Sequence, residues 1–298
     1  MTSEGTLRVW HHRGVQPPTP SPTDQGHEPS ALAPGRGPAA VAGATALVAG
    51  ALLACGAAAG TLPYAILTLL TQLALVAAWC VVTRPPGLAG AVVIGVLTAL
   101  AADSVALATD TREIGPLVAV LAGAFGATTL AQLGRGVARR NVTESFGATL
   151  TIAVAVIALA SMVTLRRTDD ADLVSVIVLA ATSGILLARI ADLVLARPAA
   201  HAEVPRGVPG LVLGSLLGAG VGALCSAAGA EVSVGVATLV GWLVATAAVL
   251  ADLGVDYARA GRLAAGTEPS GGLPGAALGP LIALAVAAPI GYLVGLTL

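Results

Sequence analysis

Two short stretches carry charge at helical spacing inside otherwise apolar sequence. In "VLADLGVDYARAGR" (249–262), Asp252, Asp256 and Arg259 stand at i, i+4 and i+7 and so share one face of a helix. In "LLARIADLVLAR" (186–197), Arg189 and Asp192 are three apart and also share a face. Carboxylates gathered in this way can hold a divalent cation, and arginines can hold an anionic head group. The plainer expectation is that each group is an interfacial ion pair ending its apolar run. The residue types name no particular metal. Glu144, on the same side of the predicted topology, is a further carboxylate that could join them.

Two more polar residues, Gln72 and Asp103, fall inside apolar runs, where they are expected to hydrogen-bond within the protein. The four histidines, His11, His12, His27 and His201, all lie outside such runs, so no embedded histidine ligand or proton relay is available. Cys55, Cys80 and Cys225 have no Cys-x-x-Cys spacing and read as small buried side chains. Walker loops, Gly-x-Ser-x-Gly elbows and His-Glu-x-x-His motifs do not occur. No cofactor is expected, and the balance of evidence leans away from an enzyme.

The elements that must position these residues follow from composition. Of 298 residues, 56% are hydrophobic and 10% charged, against roughly 25% charged in a soluble domain. Apolar runs of about 20 residues match a hydrocarbon core of about 30 Å. The expected fold is all-α, a polytopic transmembrane bundle over residues 38–298 preceded by a disordered cytoplasmic tail over 1–37, which is rich in Pro, Ser, Thr and Gly. Nine spans are predicted, near 39–60, 63–83, 87–108, 115–133, 146–165, 173–196, 208–228, 232–254 and 275–297.

Arginine placement sets the orientation. The tail and the loops after the even-numbered spans contain 12 of the 15 arginines, counting Arg189 at the end of span six; Arg112, Arg166 and Arg167 lie opposite. The positive-inside rule then puts the N-terminus in the cytoplasm and the C-terminus outside, in the cytoplasmic membrane. With a net charge of -1 there is no reason to expect nucleic-acid binding, and membrane lipids are the expected partners. Gly214, Gly218 and Gly222 form a small-xxx-small ridge, as do Gly291 and Gly295. Such ridges serve helix packing within the chain, or alternatively a homo-oligomer.

From about residue 175 to the C-terminus the chain resembles the CDP-diacylglycerol synthases (phosphatidate cytidylyltransferases). "ADL" at Ala191–Leu193, a loop with Arg197 and Arg206, "ADL" again at Ala251–Leu253 and "LPGAAL" at Leu273–Leu278 follow the order and approximate spacing of that family's motifs. The resemblance implies a polytopic enzyme that joins CTP to phosphatidic acid with divalent metal, and matches Asp192 and Asp252 to carboxylates of the family. However, Ala276, Ala277 and Leu278 replace its His-Gly-Gly, "GPLIA" has no carboxylate where Asp-Arg-x-Asp belongs, and the loop lysines are missing. Two carboxylates are too few to hold metal against CTP phosphates. The expectation is a non-catalytic relative with a lipid-interacting or scaffold role. The alternative is a small-solute transporter or channel using Asp103, Gln72 or Arg189 along its path.

Overall fold

The computed structural model describes residues 36–109, 113–136, 141–168, 171–195, 199–201, 204–266 and 272–297. Among these, nine helices are long and apolar enough to cross a membrane: α1 Arg36–Ala59, α2 Thr61–Thr83, α3 Leu88–Ala108, α4 Gly115–Gly134, α5 Val142–Arg167, α6 Ala171–Val194, α7 Val208–Ala227, α8 Val234–Ala264 and α9 Leu273–Thr297. Between α6 and α7 lies an antiparallel hairpin, β1 Ala199–His201 and β2 Val204–Gly207. The predicted tail falls outside the described residues except for 36 and 37, which already belong to α1.

Breaks fall where the backbone chemistry demands them. Gly60, at φ 128, separates α1 from α2 in a conformation that only glycine adopts readily. Thr83 ends α2 ahead of Arg84, which is left-handed at φ 44, and of Pro85-Pro86, which cannot continue a helix. Within the spans, hydroxyls such as Thr45, Thr71 and Thr128 donate to the carbonyl four residues earlier, so few polar atoms face hydrocarbon unmet.

Two boundaries depart from the sequence expectation. Helix α5 starts four residues before the predicted 146, and α8 runs ten residues beyond the predicted 254. Asp256 and Arg259 therefore stand within a continuous helix and not at its frayed end. At 31 residues α8 is about 46 Å long, well over the hydrocarbon thickness of about 30 Å.

Helices α5, α6 and α9 are the most buried, and α4 and α7 the least. Helix α9 packs on α1, α2, α5, α6 and α8 and joins the two halves of the bundle. The Gly214, Gly218 and Gly222 ridge of α7 faces α6 and α8 of the same chain. A Cβ on Gly218 would strike Ala245 and the carbonyl of Gly241, and one on Gly222 the carbonyl of Ala237. Gly291 and Gly295 of α9 admit Ile177 of α6 and Leu165 of α5 in the same manner.

Candidate functional site

Arg189 stands 18 residues on from the start of α6, and Asp252 18 on from the start of α8, each about 27 Å along its axis. With α7 returning between them, the two side chains reach the same level at the same end of the bundle. Arg189 grips Asp252 with a two-pronged fork: Nε donates to Oδ2 at 2.8 Å and Nη2 to Oδ1 at 2.6 Å. Its third nitrogen, Nη1, lies 3.0 Å from Asp256 Oδ2.

Arg206, one residue before the end of β2, completes the group. Its Nε donates to Asp192 Oδ2 at 2.7 Å, and Nη1 to Asp252 Oδ2 at 2.7 Å and to Asp256 Oδ2 at 3.2 Å. The Gly207 amide donates to the remaining Asp192 oxygen at 3.0 Å. Only Asp256 Oδ1 is left without such a donor among the described residues. Asp252 is fully buried, and Asp192 and Arg206 are each 4% exposed. Burial works against the Arg206 charge, but Asp252, Asp256 and Asp192 together outweigh it and hold that guanidinium's pKa above its ordinary value.

Glycines make room for these charges. A Cβ on Gly210, in the first turn of α7, would overlap Asp192 Oδ1; one on Gly279 of α9 would overlap Asp252 Oδ1 and press on Arg189. Backbone from α7 and α9 thus covers the carboxylates from both sides. Chemically the arrangement is a clasp in which three carboxylates pair with two guanidiniums, a formal surplus of one negative charge, and tie α6, α8 and the hairpin together.

Of the residues singled out by sequence, the structure brings together Arg189, Asp192, Asp252 and Asp256. The pairing is not local: Arg189 bonds to α8, and Asp192 to Arg206 of the hairpin. Arg259, partly exposed on α8, makes no ion pair with a described residue. Glu144 is exposed in the first turn of α5 and accepts from Asn141 Nδ2 at 3.2 Å, apart from the clasp. Gly210 and Gly279 are contributors that sequence reading missed, and Arg206, noted there only as part of a basic loop, was not placed in the cluster. Besides its place between the two "ADL" stretches, the signal for Arg206 was the run Arg206-Gly207-Val208-Pro209 at the threshold of a span.

Gln72 and Asp103 meet in the core between α2 and α3. Gln72 Nε2 donates to Asp103 Oδ1 at 3.0 Å and to the Val156 carbonyl of α5 at 2.9 Å, with exposures of 0% and 5% for the two side chains. Gln72 alone reaches backbone, Gln72 Oε1 and Asp103 Oδ2 have no hydrogen-bond partner among the described residues, and Arg189, the third residue of the predicted solute path, is committed to the clasp. Among the described residues no group of three or more His, Cys, Asp or Glu is placed to hold a metal ion. Comparison with protein-family models, curated proteins and solved structures finds no match.

Proposed function

We propose that this multi-pass helical protein is a non-catalytic, lipid-interacting component of the cytoplasmic membrane, a relative of the phosphatidate cytidylyltransferases whose acidic positions have become structural. The observation that carries the reading is the clasp. Asp192 and Asp252, the two positions that resemble the family's carboxylates, accept from arginine or backbone N–H at every oxygen. A cation held there would have to displace Arg206 or Arg189, and each buried charge left behind costs several kcal/mol. Lipid partnership is supported by an apolar groove of about 650 Å³ along α1, α2 and α9, walled by residues such as Val48, Leu52, Leu70 and Val81. An acyl chain matches those walls in both chemistry and surroundings. A second copy docking through the Gly214 ridge would have to part α7 from α8, so lipid is the favoured partner.

Purified protein incubated with labelled CTP, phosphatidic acid and magnesium is expected to form no CDP-diacylglycerol. Product that disappears in Asp252→Asn would overturn the reading.

A further inference from the structure

Away from the clasp, the corner where α3, α4 and α5 meet holds a cavity of about 370 Å³ with polar side chains in its wall. Three helix faces build it, each at i, i+4 and i+7 or i, i+4 spacing. Helix α4 contributes Thr128 and Gln132 and its C-cap Arg135, α5 contributes Ser145 and Thr149, and α3 contributes Ala91 and Ile94 with its N-cap Gly87. Gln132, Ser145 and Thr149 are buried and Arg135 half-buried.

One side chain at this cavity, Arg135, has donors to spare. Arg135 lies flat against Gly87, where an added Cβ would stand 3.3 Å from Nη1. Through Nη1 alone it donates to Gln132 Oε1 at 3.1 Å, Ser145 Oγ at 3.2 Å and the Pro86 carbonyl at 3.3 Å. Gln132 Nε2 donates to Ser145 Oγ at 2.9 Å, and Ser145 in turn donates to the Pro86 carbonyl. This network fixes the guanidinium in place while its Nε and Nη2 hydrogens have no partner among the described residues. Leu88, Ala89 and Gly90, the first residues of α3, also line the cavity, and no side chain caps that helix start. A cation fixed by its neighbours, with unpartnered donors and in the wall of a cavity, is complementary to a multi-oxygen anion. Deeper in, the walls become Ala91, Ile94 and Ala131. Ile94 and Thr128 each stand seven residues from Gly87 and Arg135 respectively, about 10 Å into the bundle.

We propose that this corner binds a phosphate-bearing amphiphile, with the phosphate between Arg135 and the start of α3 and the apolar part along Ala91, Ile94 and Ala131. The site is distinct from the clasp. It rests on the membrane-embedded reading and not on catalytic silence, which the cytidylyl-transfer assay tests separately.

The test uses full-length protein, stripped of lipid in detergent, and follows its thermal unfolding midpoint during titration with dioleoyl phosphatidic acid, dioleoyl phosphatidylcholine or inorganic phosphate. Saturable stabilisation by phosphatidic acid is expected, with binding at least about tenfold weaker in Arg135→Gln, corresponding to about 1.4 kcal/mol, and partly retained in Arg135→Lys. Gly90→Leu provides a variant that leaves the arginine network alone. Because a Cβ on Gly90 meets open space, the leucine fills the cavity without displacing backbone, and it should abolish the effect in a protein that still folds. Equal stabilisation by inorganic phosphate, lost in the same variants, would assign the site to a free phosphate compound. No saturable stabilisation by either phosphate source, or stabilisation indifferent to both Arg135→Gln and Gly90→Leu, overturns the proposal.

Discussion

Arg206 holds together three carboxylates from two helices, so its loss should be felt more than that of any exposed arginine. Replacing it with glutamine leaves Asp192 and part of Asp252 buried without their cation, a change worth about 3–5 kcal/mol. Denaturant titration of the purified protein in detergent should show that loss, and an effect below about 1 kcal/mol would mean the clasp bears little of the stability. In the core, Gln72→Leu strands Asp103 and should destabilise by about 1–3 kcal/mol. Adding Asp103→Leu removes the stranded group, so the double variant should recover part of the loss. Strict additivity of the two changes would show that the pair is not coupled. The Gln72 and Asp103 partnership was legible from sequence as a need, since polar atoms in hydrocarbon require partners. Which partners they found was not, because the two residues are 31 apart and meet only through helix packing.

At the level of the helix, α7 offers an internal comparison. Gly218 and Gly222 touch backbone of α8, whereas a Cβ on Gly220 meets nothing within 4 Å. Gly222→Val should therefore force α7 off α8 at a cost above the usual 1–3 kcal/mol of overpacking, while Gly220→Val should be close to neutral. Limited proteolysis or thermal unfolding of the two variants side by side reads the difference, and equal behaviour would remove the close-approach account. The ridge itself was visible in the sequence as a four-residue repeat. Its partner face was hidden, because an apolar span offers no contrast between the side that meets lipid and the side that meets another helix. The same lack of contrast hid the true length of α8: its polar last turns read as a loop, yet nothing in "VDYARAGRLA" breaks a helix.

For the whole molecule, arginine asymmetry predicts that the clasp, the α3–α4–α5 corner and the N-terminus lie on the cytoplasmic side. Reporter fusions are expected to be active outside the cell when attached after Leu298 and inside when attached before Met1; the reverse pattern would invert the placement of both sites. Span number and span order were determined by the sequence alone, because hydrocarbon thickness fixes how many apolar residues a helix needs. The closing of Arg189 and Arg206 over Asp192, Asp252 and Asp256 was decided only in three dimensions. Charge in a low-dielectric interior takes whichever opposite charge the packing delivers to the same depth. Glycines on α7 and α9, silent in a sequence rich in glycine, determine how closely the backbone may approach.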